Sequence, residues 1–359
     1  MTELNISQER TIVERQKRLS EILGVSGYEQ NVVNSIIDEI KPVVDKYWID
    51  STGNLLAIMQ ASPDRPAILL DAHTDEIGFI ITHVSEKGFA YFTLIGGWDE
   101  RILLGQSIIV EPKGERIFGV IGALPPHILT SEERKKTIHV EKLFIDFGFN
   151  SREEAEKEGI AVGTVGTLYS GFQELSGGRL KGKAFDDRTG CNVLIQTALN
   201  IRDKELPFTI CFSWASQEEV GTRGAKTSAY SLAKEYNIEM AVAVENTTAA
   251  DVPGVAPQKN PAVLGKGPAI TLMDANMIAS PKVRELLGKV AEMNGIPYQY
   301  KIPASGGTDA GTIHLTLSGI PTGVVSVPGR YIHSPCSIID KRDLINAIEL
   351  ITAFVLYNP

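Results

Sequence analysis

Cysteine is scarce in this chain. Only three of its 359 residues are cysteines, at positions 191, 211 and 336, and no two of them form a Cys-x-x-Cys pair. An odd and sparse set of this kind indicates a reducing compartment and argues against a framework of disulfides. It also argues against a zinc site built from thiolates.

Long apolar stretches are missing as well. No run is long and apolar enough to span a bilayer, and residues 1–18 are polar and charged where a secretory signal carries an apolar segment. The formal net charge of -9 argues against nucleic acid or an anionic membrane as the main partner. We therefore expect a cytoplasmic protein with no nucleic-acid or membrane partner.

The remaining composition is that of a globular protein, with 43% hydrophobic and 22% charged residues. A chain of this length exceeds one ordinary core, so we expect two domains. Helical periodicity alternates with short apolar strands, which predicts an α/β domain. The helical segments are 7–23, 28–43, 191–201, 226–234, 281–294 and 343–356, and the strands include 67–70, 207–211, 240–244, 297–302 and 323–328.

The pattern changes between residues 77 and 176. Helical periodicity is replaced by short β-type runs separated by glycine-containing turns, as in 78–82, 89–94 and 107–110. We interpret residues 77–176 as a small antiparallel β domain. It would be inserted into an α/β domain made of residues 1–76 and 177–359.

Two adjacent carboxylates, Glu218 and Glu219, follow the apolar run that starts at Pro207. Such a pair at the end of a buried strand is unfavourable unless a metal, a basic partner or hydrogen bonds stabilise its charge. In open α/β sheets, ligands bind outside the carboxyl ends of the strands. An isolated Glu-Glu pair is more typical of a solvated turn, but similar residues recur at other strand ends.

Histidines and carboxylates share this placement elsewhere in the chain. The whole set is His73 and Asp75, Asp186 and Asp187, Glu218 and Glu219, Glu245, and His333. Taken alone, Glu245 is more typical of a solvated strand end, and His333 of a surface loop. Asp75, two residues after His73, is placed to hold the tautomer of its imidazole.

Two histidines with several carboxylates form a mixed nitrogen and oxygen ligand set that suits zinc, cobalt or manganese. Two neighbouring metals need a bridging carboxylate, ligands for each ion and a base for the bridging water, and such a site polarises a carbonyl and supplies hydroxide at neutral pH. The glycine-rich segment 306–311 lacks the lysine and spacing of a P-loop, which argues against nucleotide binding. Its backbone N–H groups suit a substrate carbonyl or carboxylate instead.

Five motifs, in the same order along the chain, resemble those of the tetrahedral (TET-type) metallo-aminopeptidases, the glutamyl/leucyl or deblocking aminopeptidase family. They are 72–78 (AHTDEIG), 182–188 (GKAFDDR), 218–221 (EEVG), 307–310 (GTDA) and 330–335 (RYIHSP). The resemblance covers nearly the whole chain. It implies a zinc-aminopeptidase-like α/β fold, with a mixed sheet flanked by helices and an inserted small β-barrel-like domain.

The resemblance also implies a ligand set for two divalent metal ions per subunit, zinc or cobalt. Asp186 would bridge the two ions. His73 and Glu245 would hold one ion, and Glu219 and His333 the other.

The implied activity is hydrolysis of the N-terminal peptide bond of peptides with a free N-terminus. Glu218 would be the general base, taking a proton from the bridging water and passing it to the leaving amine. Asp75 would orient His73, and Asp187 would lie outside the ligand shell. The family further implies dimers, formed through the inserted domain, that assemble into a hollow dodecamer.

One position departs from the family pattern, which usually has aspartate where this chain has Glu245. Glutamate is longer but chemically competent. Asp251, in the turn-like segment 250–254, is the alternative ligand.

Three other functions stay open. Paired carboxylates would permit an endoglucanase-like glycoside hydrolase, although that chemistry leaves both histidines without a role. A metal-dependent deacylase would use the same ligand set. An inactive assembly module would keep the fold alone, and the intact Glu218 argues against it.

Overall fold

The computed structural model describes residues 6–62, 64–301 and 306–358. Over these residues the chain forms seventeen strands and eight α-helices. The strands are β1 Lys46–Ile49, β2 Leu55–Met59, β3 Ala67–His73, β4 Gly78–Val84, β5 Ala90–Ile95, β6 Ser107–Val110, β7 Ile117–Gly122, β8 Phe144–Asp146, β9 Val165–Leu168, β10 Gln173–Leu175, β11 Arg179–Gly182, β12 Thr209–Ala215, β13 Ile238–Thr248, β14 Ala269–Thr271, β15 Gln299–Lys301, β16 Thr322–Arg330 and β17 Ser337–Asp340. The helices are α1 Ile6–Glu21, α2 Gln30–Ile40, α3 Arg152–Lys157, α4 Phe185–Ile201, α5 Arg223–Glu235, α6 Pro281–Asn294, α7 Ala310–Ile313 and α8 Lys341–Leu356.

A mixed sheet of eleven strands forms the centre of the fold. Nine strands follow the order β1-β2-β12-β3-β13-β16-β17-β11-β10, while β14 pairs with β16 and with β15. β3 is parallel to both β12 and β13, and β13 is parallel to β16. These four strands are buried along nearly their whole length, as expected of parallel strands covered on both faces.

Helices cover the two faces of this sheet with separate apolar cores. Because successive side chains of a strand point to opposite faces, Leu70 of β3 joins the core formed with α1, α2, α4, α6 and α8. Its neighbour Leu69 joins the core formed with α5 and α7, which also contains Cys211. The α/β fold class predicted from the sequence is confirmed.

Six strands, in the order β4-β5-β8-β7-β6-β9, close into a small barrel. Phe79, Ile108 and Ile145 lie in its own apolar core. The barrel strands end at Leu168, and β10 pairs with β11 in the large sheet, although it lies within the segment assigned to the insertion. The division of the chain at residues 77 and 176 stays a prediction.

Two strands that lead to the site are longer than predicted. β3 runs on to His73, beyond the predicted 67–70, and β13 runs on to Thr248, beyond the predicted 240–244. The parallel ladder with β16 continues through the polar end of β13, pairing Glu245 with Ser326. Glu245 therefore lies inside a strand, and the prediction of a solvated strand end is wrong. The predicted strand 297–302 corresponds to β15, with residue 302 outside the described residues.

Five of the six predicted helical segments agree with the structure to within three residues at each end. α4 begins six residues before the predicted start at residue 191, and α3, inside the predicted β domain, was not predicted. Among the parts of the chain that the structure describes, no helix has the length and apolar character needed to cross a membrane.

Candidate metal centre and active site

The candidate site lies at the carboxyl ends of the parallel strands. The predicted residues come from five elements: His73 ends β3, Asp186 lies in the first turn of α4, Glu218 and Glu219 follow β12, Glu245 lies in β13 and His333 follows β16. The register of the sheet aligns these ends, since His73 pairs with the last residue of β12, Ala215. The fold therefore brings together side chains that are far apart in sequence.

Two groups of ligand-type side chains share one carboxylate. In the first group, Nε2 of His73 lies 3.2 Å from Oδ1 of Asp186 and 3.7 Å from Oε2 of Glu245. In the second group, Nε2 of His333 lies 3.5 Å from Oδ2 of Asp186 and 3.2 Å from Oε2 of Glu219. Within each group the ligand atoms lie within 4.8 Å of one another. Each oxygen of Asp186 thus faces a different histidine.

The electrostatics show an excess of negative charge. Burial opposes ionisation of Asp186, but hydrogen bonds with His333 and His73 hold its pKa well below the usual range. Burial would lower the pKa of His333, but the same carboxylate and Glu219 raise it to about 11. Burial, reinforced by Glu219 and Asp186 against the attraction of His73, raises the pKa of Glu218 to about 8. Without cations the cluster therefore binds protons strongly.

Strongly basic side chains do not neutralise this charge. Of the described residues, no lysine or arginine nitrogen lies within 4.0 Å of a carboxylate oxygen of Asp186, Glu219 or Glu245. Lys183, which lies nearby in sequence, is instead paired with Glu76 at 2.6 Å. A partly buried cluster with two imidazoles and carboxylates that no lysine or arginine neutralises fits divalent cations such as zinc or cobalt.

Asp75 connects His73 to the turn that carries the Glu218–Glu219 pair. Its Oδ1 lies 3.3 Å from Nδ1 of His73 and accepts a hydrogen bond from the backbone N–H of Glu218 at 3.0 Å. Its Oδ2 accepts from the N–H of Glu219 at 3.1 Å and from Oγ of Ser26 at 2.6 Å. Burial opposes its ionisation, but His73 and these donors lower its pKa. One buried carboxylate thus positions both a histidine and the glutamate turn.

Asp187 has a different set of partners from its neighbour Asp186, to which it is joined by a cis peptide bond. Its Oδ2 accepts from the backbone N–H of His73 at 3.3 Å, and its Oδ1 accepts from the N–H of Gly190 at 3.0 Å. Its carboxylate is fully buried and belongs to neither ligand group.

Glu245 is buried, with 3% of its surface exposed, and its Oε1 accepts from the backbone N–H of Asp309 at 3.2 Å. The alternative ligand, Asp251, is engaged elsewhere. Its two oxygens accept from Nε and Nη2 of Arg330 at 2.8 and 2.6 Å. The structure therefore brings Glu245 to the first group and leaves Asp251 outside both groups.

A cavity of about 460 Å³ opens beside the two ligand groups. Its lining includes Glu218, Thr308 and the backbone of Gly306 and Gly307, which belong to the predicted glycine-rich segment. Lys301, the last residue of β15, also lines this cavity and is buried, with 6% of its surface exposed. Burial lowers the pKa of Lys301, against the attraction of Asp274, Glu245 and Asp186.

The segment that follows β5 also reaches the ligands. A Cβ added to Gly97 would lie 3.3 Å from Nδ1 of His333. A Cβ added to Gly96, whose φ is +80°, would lie 3.5 Å from Cβ of Glu219. Both glycines belong to the predicted insertion, which therefore packs directly against the second ligand group.

Ser26 and Lys301 are functional candidates that sequence reasoning missed. Ser26 lies in a break between two helices, and an isolated β-bridge from Val25 to Glu76 brings it beside the site. Nothing in its local sequence indicates that contact. The sequence does give an indication for Lys301. A lysine at the end of a predicted strand, just before a glycine-rich segment, needs a negatively charged or polar partner if it is buried.

Known proteins resemble this chain in sequence along most of its length. The sequence profile of the M42 glutamyl aminopeptidase family matches residues 53–350. The chain is 35% identical to a lysyl aminopeptidase from Pyrococcus furiosus, over 95% of this chain and 96% of the relative.

Solved structures resemble the whole fold. An aminopeptidase from the archaeon Desulfurococcus kamchatkensis superimposes with a TM-score of 0.92 at 39% identity, covering 98% of this chain and 96% of the other. The TET1 peptidase from Pyrococcus horikoshii, described as assembling into a tetrahedron or a large octahedral shell, gives a TM-score of 0.86 at 33% identity, with coverages of 97% and 100%. A Thermotoga maritima structure described as an endoglucanase gives 0.77 at 34% identity, with coverages of 95% and 96%.

The family match extends over most of the chain, and several relatives with aminopeptidase names align along nearly their whole length. This chain therefore belongs to the M42 glutamyl aminopeptidase family and is a peptide-bond hydrolase.

Proposed function

We propose that this chain is a metal-dependent aminopeptidase that removes the N-terminal residue of peptides with a free N-terminus. The observation that carries the proposal is the shared carboxylate of Asp186, whose two oxygens face two separate histidines. Two ligand groups meeting at one carboxylate are what a pair of neighbouring cations requires.

His73, Asp186 and Glu245 would hold one divalent ion, and Asp186, Glu219 and His333 the other. The nitrogen and oxygen donors suit zinc or cobalt, and the absence of thiolates from both groups agrees with that choice. When bound, two such ions would supply Lewis acidity for the scissile carbonyl and activate water at neutral pH.

Glu218 is the proposed general base. Its carboxylate lines the cavity, and its Oε2 lies 4.0 Å from Nε2 of His73, so it faces the same space as the ligand atoms. Glu218 would take a proton from the attacking water and deliver it to the leaving amine. Asp75 would keep Glu218 in place through the backbone N–H that it accepts.

A glycoside hydrolase is the second candidate, because one similar structure is described as an endoglucanase. Two carboxylates alone would serve that reaction. Both histidines lie beside the carboxylate of Asp186, which favours a metal site. Glycoside hydrolysis by two carboxylates does not require a metal. The two candidates differ in their sensitivity to chelators.

We further propose a cytoplasmic homo-oligomer built from dimers, up to a dodecamer. The barrel exposes apolar side chains, among them Phe118, Leu124 and Ile128, with exposures of 51%, 61% and 68%. A contiguous exposed apolar patch marks a protein interface, and these side chains are the candidates for such a patch. The described assembly of the Pyrococcus horikoshii relative supports the same expectation.

The test uses purified protein, zinc or cobalt, and matched peptides with free or acetylated N-termini, with products identified by mass spectrometry. We expect stepwise loss of residues from free N-termini only. The Glu218→Gln variant keeps the shape of the side chain without its basicity, and we expect a loss of at least about 100-fold in kcat. Release of acetate would identify a deacylase. A β-glucan is included as a further substrate, and its cleavage would identify a glycoside hydrolase. If no substrate is cleaved although metals are bound, the chain is an inactive module.

A further inference from the structure

The turn that follows β12, residues 216–219, carries the proposed general base, Glu218. All four of its backbone N–H groups donate to side-chain oxygens from other parts of the chain. Asp75 accepts two of them, and Oδ1 of Asn54 accepts the N–H of Ser216 at 2.9 Å. The position of the general base is therefore set by side chains that lie outside the turn.

Glu29 accepts the remaining N–H group of this turn. Its Oε1 lies 3.1 Å from the backbone nitrogen of Gln217, the residue before the general base, and 2.7 Å from that of Gly27. Glu29 is buried, with 5% of its surface exposed, and it is the residue just before α2. A side chain at that position commonly caps the helix, but the side chain of Glu29 accepts no capping hydrogen bond from α2. Helix capping therefore does not account for this buried carboxylate.

Gln217 has a backbone conformation that needs such a restraint. Its φ is +56°, in the left-handed region, which is unfavourable for a residue that has a Cβ atom. Because φ describes rotation about the bond from N to Cα, an acceptor fixed on this N–H group opposes a return to the ordinary region. Glu218 follows directly, so a change of φ at Gln217 would redirect the carboxylate of the general base.

The loop between α1 and α2 supports the turn at two points. Oγ of Ser26 donates to Asp75 at 2.6 Å, and Glu29, three residues farther on, accepts from Gln217. Glu29 belongs to neither ligand group and does not line the cavity beside them. Its contact with the reacting groups is therefore made through the turn.

We propose that Glu29 is a positioning residue for the general base, holding the N–H of Gln217 so that the carboxylate of Glu218 is directed into the cavity. This inference rests on the aminopeptidase function proposed above. A catalytic group that is displaced by roughly 1 Å can lose about two orders of magnitude in rate. The reach of the Glu29 oxygen, and not its charge, is the property that the reaction requires.

The experiment compares two substitutions of Glu29 in the full-length protein loaded with zinc or cobalt. Glu29→Gln removes the charge but keeps an oxygen at the same distance from Gln217, so we expect kcat within about threefold of wild type. Glu29→Asp keeps the charge but withdraws the oxygen by one methylene group, and we expect kcat to fall by about 10- to 100-fold. KM should change by less than about threefold and the metal content should stay the same, because Asp75 still holds the N–H of the ligand Glu219.

Asp343→Asn is the matched control. Asp343 is also a buried carboxylate that accepts two backbone N–H groups, those of Gly265 and Gly267 at 2.7 and 2.8 Å, and it does not line the cavity. The amide can replace only one of the two acceptors, so this variant should have a lower Tm. Its kcat should stay within about threefold of wild type.

The outcomes separate the two proposals. If the wild-type protein cleaves no peptide, the proposed function is wrong and the inference is wrong with it. If Glu29→Asp has the kcat of the wild type, or Glu29→Gln loses as much as Glu29→Asp, the inference is overturned and the function stands. A loss in Glu29→Asp that is accompanied by loss of metal, or that Asp343→Asn reproduces, also overturns the inference, because the defect is then one of general stability.

Discussion

Replacing Asp75 by Asn tests whether one buried carboxylate holds the site together. Asp75 is fully buried and accepts three hydrogen bonds while also facing Nδ1 of His73. In the variant one oxygen becomes an NH₂ group. The hydroxyl of Ser26 can rotate to accept from it, but the backbone N–H of Glu218 or Glu219 then faces a donor.

The expected destabilisation follows from this count. One charge-assisted hydrogen bond is lost and one donor faces a donor, which together should lower the free energy of unfolding by about 2–4 kcal/mol. Because the pKa of Asp75 is lowered in the folded state, its stabilising contribution is present above about pH 4 and is lost as the pH falls through that lowered value. The difference between wild type and variant should therefore narrow in acid.

The assay is urea denaturation of the chelated proteins at pH 7 and in acid, followed by zinc titration of the folded proteins. Metal affinity should fall by about 10- to 100-fold, since Asp75 orients a ligand histidine. Asp38→Asn, at an exposed carboxylate paired only with Lys41, is the matched control and should stay within about 0.5 kcal/mol of wild type. If Asp75→Asn unfolds at the same urea concentration as the control and binds zinc equally well, Asp75 does not connect the two halves of the site.

The other predictions concern the metals and their ligands. Treatment with a chelator should abolish peptide cleavage and lower the Tm, because ligands that bind only the folded state stabilise it. Added zinc or cobalt should restore both the activity and the Tm. Activity that persists after complete metal removal would refute metal dependence. The Glu245→Gln variant should bind one of the two metal ions at least about tenfold more weakly. The Asp251→Asn variant should keep both ions. It should lose only about 1 kcal/mol of stability, because its ion pair with Arg330 is weakened. The opposite result, measured as metal content after dialysis, would make Asp251 the ligand.

Local periodicity predicted the framework well. α1, α2 and α6 bury their apolar stripes as expected, because a stripe of this kind has few alternatives to packing on a sheet. The barrel was also visible as a change from helical to strand-like pattern. β10, which is exposed and has no apolar alternation, pairs with β11 of the large sheet, and the boundary at residue 176 stays a prediction.

Strand ends were harder to predict. The polar residues Glu245, Asn246 and Thr247 look like the end of a strand, yet they continue β13 because β16 supplies a parallel partner for each of them. Such pairing depends on residues about 80 positions away along the chain. No local pattern contains that information.

Most of the ligand candidates could be proposed from the sequence because they follow apolar strands. The resemblance assigned the roles of all of them, including Asp186, which lies at the start of a helix. The residues that support them were not found. Ser26 reaches the site through its hydrogen bond to Asp75, and Lys301 lines the cavity. A lone serine or lysine occurs in too many ordinary environments for the sequence to reveal either position.

The close approach of Gly97 to His333 means that the second ligand group is enclosed jointly by the large sheet and by the loop between β5 and β6 of the barrel. The barrel is thus not an independent module that could be exchanged or deleted while the chemistry is retained. A side chain at position 97 would crowd His333, and one at position 96 would crowd Ile77, so this loop leaves little room for a side chain at either position. Among related chains we therefore expect these two positions to vary less than exposed polar positions of the barrel that lie outside the proposed interface.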